Sequence, residues 1–398
     1  VLDLTDWVRT GEYPWNPIIT GLFGVSLVVV LIGWPAAEYL ERYAQLTLAL
    51  AIGALVLLTT DRSLRTPGMF NRMLRVAVWT GALMGATAVV FELVAIGVFG
   101  STALSTIGDL PGIFRVAKPA YLDEGFFALT NWHQDPGYSA AWANLWIVLV
   151  LAASARGLAT GRRWLDGLIV GGLVFNVVMA FSRTGWTALP IVVGIAGLLF
   201  VRGGQIPFGD LAKLLGVALV TVALLTSIML AVDPEDVGGD LGLQFDFRLS
   251  QGWELLADIT GLFETSEPFE DRFAVSEQRA DVWPEYVDMF QENPWLGVGL
   301  GVGWQTNSLQ QEPHNLVLEL LAELGILGAV AFAALLAVVL LRGSGAVGLA
   351  ALAAALLPFI SQTVLFEPAW WFAAGILLSG ASSHESEMTN PNAASSYT

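Results

Sequence analysis

The sequence predicts an all-α integral membrane protein with about ten transmembrane helices and a helical extracytoplasmic cap loop. Of its 398 residues, 55% are hydrophobic and only 13% are charged, which is about half the charged share of an average soluble domain. Its apolar residues form stretches long enough to cross a hydrocarbon core of about 30 Å. These features exclude a disordered chain and an ordinary soluble enzyme. Because there is no cysteine, disulfides, zinc thiolate sites and cysteine nucleophiles are excluded as well.

Ten apolar stretches are the predicted spans. They lie near 18–34, 44–60, 74–99, 138–155, 165–181, 185–201, 211–232, 315–341, 345–360 and 364–379. Seven precede a long polar segment and three follow it. This pattern predicts a first membrane bundle at 1–232, an extracytoplasmic cap loop at 233–313, a second bundle at 314–381 and a disordered polar tail at 382–398.

The basic residues predict the orientation of the spans, because Lys and Arg gather in cytoplasmic loops. They cluster in segments 61–75, 156–164 and 202–213, which fall on one side if the spans alternate. That side is the predicted cytoplasmic one. The same alternation places loop 100–137, the turn at 182–184 and the cap loop outside. We therefore predict a multi-pass protein of the cytoplasmic (inner) membrane.

The negative charge of the chain is concentrated in the cap loop. This loop holds 17 acidic and three basic residues, so its net charge of −14 accounts for most of the −17 of the whole chain. Such a surface stays well solvated. Two helices are predicted, at Ser250–Phe263 and Ser276–Gln291, and the second has an apolar face. No D-x-D-x-D-G calcium pattern appears, and no metal site is predicted. The apolar face of the second helix is formed by Val282, Tyr286 and Met289.

Two arginines are candidate functional residues near the outer ends of the spans. Arg183 interrupts an apolar run at 165–201, and an ionised side chain at membrane depth is usually paired or functional. The alternative is that Arg183 marks a hairpin turn and extends to the interface. Arg279 lies in the second predicted cap helix. For Arg279 the alternative is a salt bridge with Glu277 or Asp281.

His314 is the third candidate, because it follows the cap loop directly and opens the next span. Pro313 suits the first helical position, and a helix N-terminus attracts anions such as phosphate. The same field disfavours an imidazolium, and a neutral His can act as a general base. The alternative is an interfacial His capped by Glu312 or Asn315. His133, on the outer loop 100–137, is a weaker candidate.

One neutral His and two Arg on the outer face indicate transfer from a lipid-linked phosphate donor. Arginine binds phosphate bidentately and keeps its charge, so two of them could stabilise a leaving pyrophosphate without a metal. The active site would then lie on the extracytoplasmic face. Residues beside these three groups, and the other basic residues of the cap loop, are predicted to bind substrate. They are Ser182, Asn315, Arg248 and Arg272.

Four segments resemble motifs of the O-antigen ligase and O-antigen polymerase superfamily. The segments are Phe181-Ser182-Arg183-Thr184-Gly185, similar to its Ser-Arg motif; Arg279 with Trp283, similar to Arg-x3-Trp; Asn293–Gly301, similar to Asn-Pro…Gly-x-Gly-x-Gly; and His314-Asn315 with Gly325 and Gly328, similar to H-N-x9-G-x-x-G. They occur in the family's order with the long loop among them. The resemblance covers about 180–340.

The resemblance implies a GT-C type membrane glycosyltransferase. Such enzymes move a glycan from a polyprenyl-pyrophosphate carrier, such as undecaprenyl pyrophosphate, to a glycan or glycolipid acceptor outside the cytoplasmic membrane, as in lipopolysaccharide biosynthesis. By motif, the catalytic roles fall on His314, Arg279 and Arg183. Gly299 and Gly301 would let the chain turn beside the lipid phosphate. We expect a monomer in contact with membrane lipid, with no cofactor and no nucleic-acid partner.

Two alternatives remain open at the level of sequence. A polysaccharide polymerase of the same superfamily would use the same chemistry, although the H-N-x9-G-x-x-G spacing favours a ligase. A membrane transporter is the alternative of another class, since some relatives have been described as bicarbonate transporters. Transport sites need polar groups and broken helices near the bilayer midplane, and here Glu92 and Asn176 are among few such polar residues.

Overall fold

The computed structural model describes most of the predicted membrane-spanning part of the chain. At some helix ends the structure describes the backbone and not the side chains. These positions include Arg183 and residues 274–281. The described residues are 40–95, 117–121, 126–129, 136–180, 182–232, 274–308, 313, 315–357 and 367–380, with isolated positions between 17 and 30.

The described part of the chain is almost entirely helical. Its helices are α1 (Leu40–Leu64), α2 (Met69–Ala95), α3 (Pro136–Ala155), α4 (Arg163–Met179), α5 (Arg183–Arg202), α6 (Phe208–Val232), α7 (Ala274–Glu292), α8 (Val302–Thr306), α9 (Leu316–Arg342), α10 (Ala346–Leu356) and α11 (Pro368–Ser379). Every predicted span from the second to the tenth coincides with one of these helices. The first, at 18–34, lies largely outside the described residues, as do the predicted helix Ser250–Phe263 and the tail at 382–398.

Six of the described helices are long and apolar enough to cross a membrane: α1, α2, α3, α5, α6 and α9. Large apolar side chains on them are exposed, among them Trp79, which is 76% exposed, and Leu83 on α2. Exposed apolar faces of this size are what lipid tails cover. The chain is therefore a multi-pass membrane protein, while the total of about ten spans remains a prediction.

One feature of the described part differs from a purely helical chain. Two short strands, β1 (Ala117–Tyr121) and β2 (Phe126–Leu129), pair antiparallel. They lie in the predicted outer loop 100–137. The sequence between Ala117 and Leu129 shows no strict alternation of apolar and polar residues, which is the signal that would have indicated this pairing.

The chain divides into two compact units that do not follow the order of the sequence. The first comprises Val1–Phe70, Pro268–Leu352 and Phe359–Thr398. The second comprises Asn71–Glu267 and Ala353–Pro358. Arg183 therefore belongs to the second unit, while Arg279 and His314 belong to the first. The predicted boundaries at 232 and 313 stay predictions.

Small residues bring the helices of the second unit into close contact. On α4, a Cβ atom at Gly167 would lie 2.7 Å from Val217 Cβ, and one at Gly171 would lie 2.6 Å from Thr221 Cβ. Two glycines spaced four apart thus form the surface against which α6 packs. Membrane helices associate in this way because lipid gives no hydrophobic driving force and close van der Waals contact replaces it.

In the first unit, α7 confirms the predicted second cap helix and its apolar face. Val282 and Tyr286 are fully buried against Ala322 of α9, with Met289 and Leu318 packed around them. These contacts fix α7 along the first half of α9. The same unit contains the packing of α1 against α11, where a Cβ atom at Gly53 would fall against the ring of Trp371 and one at Gly375 would lie 2.7 Å from Thr60 Cβ.

Candidate functional site

The turn that carries Arg183 is held by hydrogen bonds of its own and of the neighbouring helices. The hydroxyl of Ser182 accepts from the Gly185 N–H at 3.2 Å and thereby caps α5. Trp186 Nε1 donates to the carbonyls of Val177 and Val178, at 3.1 and 3.0 Å. The end of α4 and the start of α5 are therefore tied together. Arg183 is the first residue of α5, and its side chain lies outside the described residues.

A buried polar cluster supports this turn from α3. Asn176 Nδ2 donates to Ser139 Oγ at 3.0 Å, and Asn144 Nδ2 donates to the Gly185 carbonyl at 3.5 Å. Ser139, Asn144 and Asn176 are all fully buried. Because Asn176 is bonded within the second unit, its burial is explained by packing around the Arg183 turn. The hydroxyl of Ser182 serves the helix cap, so its predicted contact with substrate stays a prediction.

The segment that contains His314 is attached to α7. Trp283 Nε1 donates to the carbonyl of Pro313 at 2.9 Å. At the other end of the segment, the Glu285 carboxylate accepts from Ser308 N at 2.9 Å and from Ser308 Oγ at 2.5 Å. One helix thus holds residues 308 and 313, on both sides of a short stretch that lies outside the described residues.

α9 begins directly after His314. Asn315 is its N-cap, and its side-chain oxygen accepts from Leu318 N at 3.2 Å. Pro313 therefore lies two residues before the cap, and the expectation that it occupies the first helical position is wrong. Asn315 is the better cap because its side chain can accept a bond from the first turn. His314 itself is outside the described residues, as are Arg248 and Arg272.

α9 is broken at Gly325, and the loop after α7 fills the break. Gly325 has φ 63° and ψ −170°, a conformation that is essentially restricted to glycine. An unbroken helix would pair Ile326 N with Ala322 O and Leu327 N with Glu323 O. Instead, Ile326 N and Leu327 N donate to the carbonyls of Pro294 and Trp295 at 2.8 and 3.3 Å.

The acceptors released by the same break are satisfied by the same loop. Val298 N donates to Ala322 O at 2.9 Å, and Gly299 N donates to Glu323 O at 3.0 Å. At the break, two N–H groups of α9 donate to loop carbonyls, and two carbonyls of α9 accept from loop N–H groups. This exchange leaves these backbone groups paired, as a segment at membrane depth requires.

Glu323 makes a further bond with the glycine-rich segment. Its carboxylate accepts from Gly301 N at 2.7 Å, and the side chain is 2% exposed. Gly301 has φ 76° and precedes α8. A charged acceptor strengthens such a bond, and a buried carboxylate needs it. The N–H groups of Gly299 and Gly301 therefore serve internal bonds, and their predicted contact with the lipid phosphate stays a prediction.

The H-N-x9-G-x-x-G spacing has a structural explanation in α9. Asn315 caps the helix and Gly325 breaks it. At Gly328 a Cβ atom would fall against the Cβ of Leu324, which the break brings close. Three of the four signature positions thus build the start of α9 and its break. In the sequence, His314 directly precedes the cap residue Asn315.

Several residues of this region were not identified from the sequence. Trp186, Glu285 and Ser308 act through individual hydrogen-bonded contacts, for which no local sequence pattern exists. Glu319 and Glu323 are buried in α9, and their signal was present: two carboxylates one turn apart in an otherwise apolar span are expensive unless they have a role. Within the described residues, no group of three or more His, Asp or Glu side chains could hold a metal ion.

The geometry defines a multi-pass helical membrane protein in which an Arg-bearing helix holds the segment before a broken span. Residues 168–333 match the family model described as O-antigen ligase. All four motif segments lie inside this match. This match supports the O-antigen ligase and polymerase superfamily for this part of the chain, and with it a membrane enzyme of that type. A comparison with curated protein sequences finds no match.

Proposed function

We propose that this protein is a metal-independent glycosyltransferase that moves a glycan from a polyprenyl-pyrophosphate carrier to an acceptor hydroxyl on the outer face of the cytoplasmic membrane. The observation that carries the proposal is the family match across 168–333 together with the motif residues inside it. The family implies lipid-linked glycan substrates. His314, Arg279 and Arg183 stand at the motif positions that carry the chemistry in similar ligases.

The proposed reaction is a direct displacement at the anomeric carbon. His314 takes the proton of the acceptor hydroxyl through a ring nitrogen. The acceptor oxygen forms a bond with the anomeric carbon while the bond from that carbon to the pyrophosphate oxygen breaks. The leaving lipid pyrophosphate keeps the electron pair, and Arg183 and Arg279 stabilise its charge. A single displacement of this kind inverts the anomeric configuration.

The attachment of the His314 segment to α7 favours this assignment. Arg279 is one helical turn before Trp283, and Trp283 bonds to the residue directly before His314. An Arg that binds pyrophosphate and a base that activates the acceptor must be held in fixed register, because effective catalysis depends on positions within about 1 Å. One helix, α7, carries the first and bonds to the segment of the second, which meets this requirement.

The test is a transfer assay with purified protein in lipid nanodiscs. The donor is the polyprenyl-pyrophosphate-linked glycan extracted from membranes of the organism that carries the gene, and the acceptor is the outer glycolipid fraction of the same cells. We expect His314→Ala, Arg279→Ala and Arg183→Ala to lose transfer, and EDTA to leave wild-type transfer unchanged. Near wild-type transfer by His314→Ala, or loss of transfer in EDTA, would overturn the mechanism.

A polymerase of the same superfamily remains the second candidate, because it would share these residues and differ in its acceptor. The same assay separates the two. A ligase adds one preassembled glycan to the glycolipid, whereas a polymerase lengthens the lipid-linked glycan when no glycolipid is added. The H-N-x9-G-x-x-G spacing supports the ligase.

The broken helix α9 is a feature that transporters also have, but its backbone groups are already hydrogen-bonded here. In transporters, the backbone groups freed by a break coordinate the substrate or ion. In α9, the carbonyls of Ala322 and Glu323 accept from Val298 and Gly299, so the break does not leave them without a partner. A flux assay in vesicles with bicarbonate is expected to show no transport.

A further inference from the structure

The bond between Trp283 and Pro313 is the attachment nearest to His314 among the described residues. Trp283 Nε1 donates to the Pro313 carbonyl at 2.9 Å across 30 positions of sequence. Pro313 is buried, and its carbonyl belongs to the peptide group whose nitrogen is that of His314. The indole therefore bonds to the residue directly before His314 rather than to a remote part of the loop.

The other described bonds of this segment lie on either side of the bond to Pro313. Glu285 holds Ser308, six residues before His314, and Asn315 caps α9 one residue after it. Between these points only Pro313 has a described bond to α7. Removal of the Trp283 N–H would therefore leave Ser308 as the nearest described bond to α7 on the side of the segment that precedes His314.

The residues of α7 next to Trp283 are anchored on α9. Val282, the neighbouring residue, and Tyr286 are fully buried against Ala322 of α9. Trp283 and Arg279 are four residues apart on this helix, a spacing that places them on one face. The residue that bonds to the His314 backbone is thus one turn from the arginine that we assign to the pyrophosphate.

We propose that Trp283 is a positioning residue that holds His314 in register with Arg279 through its bond to the Pro313 carbonyl. This inference rests on the proposed function, since it assigns the base and the phosphate-binding arginine as above. It gives the Trp of the Arg-x3-Trp element a defined task, which is to bond α7 to the residue before the general base.

The competing explanation is that Trp283 anchors α7 at the membrane surface. Its side chain is 43% exposed, and tryptophan is enriched at membrane interfaces because its ring is amphipathic. The two explanations differ in what the N–H does. An interfacial anchor needs the shape and polarity of the ring, whereas a positioning residue needs its donor aimed at one carbonyl.

The experiment removes the donor while it retains the ring. Trp283→Phe is compared with a variant in which position 283 carries β-(3-benzothienyl)alanine, whose sulfur replaces the indole N–H. Trp79→Phe is the matched control, because Trp79 is a lipid-exposed ring on α2 that has no part in the site. All proteins are purified in nanodiscs, and their unfolding midpoints are measured first.

Hydrogen exchange tests the positioning without any substrate. We expect the peptide 309–316 to exchange at least severalfold faster in both position-283 variants than in wild type, while Trp79→Phe leaves it unchanged. If exchange of this peptide is the same in the benzothienylalanine variant and the wild type, the bond does not hold the segment and the inference is wrong.

Transfer kinetics test whether the positioning acts through His314. With the extracted lipid-linked glycan as donor, we expect both variants to lower kcat by about tenfold to a hundredfold, the cost of a misplaced catalytic group, with little change in the KM for the donor. On the slow residual transfer of His314→Ala above the rate without enzyme, Trp283→Phe should cause no further loss, since two residues that act as one unit are not additive.

The outcomes separate this inference from the proposed function. If His314→Ala itself keeps transfer, both are wrong. If His314→Ala loses transfer while the benzothienylalanine variant keeps the wild-type kcat, the proposed function stands and the positioning role of Trp283 is wrong. An equal further loss from Trp283→Phe in the His314→Ala background also overturns the inference.

Discussion

Gly297 and Gly325 lie at a close contact between two backbone segments. Gly297 lies against the backbone of residues 323–324, and Gly325 lies against the backbone of residues 295–296. A Cβ atom at Gly297 would lie 2.5 Å from Leu324 N, and one at Gly325 would lie 2.5 Å from Leu296 N. Their φ angles are 69° and 63°. The contact joins the loop after α7 to the break in α9, and both sides of it have room for glycine alone.

This contact makes Gly325→Ala a strongly destabilising substitution. The backbone conformation alone costs about 1–3 kcal/mol for a residue with a side chain, and the new methyl group would force the loop away from its four hydrogen bonds to α9. We expect a clear fall in the unfolding midpoint of the purified protein in detergent, together with loss of transfer.

Gly194→Ala is the control for that substitution. Gly194 lies within α5, and a Cβ atom there would meet nothing within 4 Å. Because alanine favours the helix over glycine by up to about 1 kcal/mol, this variant should be as stable as the wild type or more so. An equally stable Gly325→Ala variant would show that α9 can close into a continuous helix.

The bond between Glu323 and Gly301 N can be tested by its effect on stability. Glu323→Ala leaves the buried Gly301 N–H without its acceptor, which costs about 1–3 kcal/mol. Glu323→Gln keeps an acceptor oxygen and should lose less. We expect the free energy of unfolding to fall in the order wild type, Gln, Ala. Glu292→Ala, at an exposed position of α7, should leave the free energy unchanged. If Glu323→Ala unfolds like the wild type, the bond to Gly301 contributes nothing to the fold.

Ser182 can be tested as a helix cap. Ser182→Ala removes the acceptor for Gly185 N and should lower the free energy of unfolding by about 1 kcal/mol, whereas Ser182→Asn keeps a capping oxygen and should restore it. Since the hydroxyl is bonded to Gly185 in the structure, we expect Ser182→Asn to restore transfer as well. Recovery of stability without recovery of transfer would instead support the predicted contact of this hydroxyl with substrate.

The elements that the sequence predicts well are those fixed by local pattern. Hydropathy over about 20 residues locates α1 to α6 and α9, because a bilayer accepts apolar helices and little else. The helical periodicity of Val282, Tyr286 and Met289 likewise predicts α7 and the face that it buries. The order of the motif segments also predicts the superfamily that the match at 168–333 supports.

The elements that the sequence does not predict depend on contacts between distant residues. Gly325 lies in an apolar run that reads as one continuous span, since a lone glycine is tolerated in a helix. It becomes a break because the loop at 294–299 supplies partners for the backbone groups that the break releases. Trp283 and Pro313 are 30 residues apart, and no spacing rule joins them. The pairing of β1 with β2 has the same origin.

A polar cluster lies at the predicted cytoplasmic ends of α3 and α4. Asp166 is 1% exposed, and its carboxylate accepts from Ser154 Oγ at 2.5 Å, from Thr160 Oγ1 at 2.6 Å and from Thr160 N at 3.1 Å. Asp166→Ala leaves these buried donors unpaired, so the free energy of unfolding should fall by more than about 1 kcal/mol.

Asp210, which is partly exposed and 3.9 Å from Arg163, is the matched control. Asp210→Ala should cost less than about 1 kcal/mol because exposed ion pairs contribute little. Since neither residue belongs to the proposed site, both variants should keep the wild-type kcat per folded molecule. A fall in kcat for Asp166→Ala at unchanged KM, measured on the folded fraction, would mean that this cluster takes part in transfer rather than in stability.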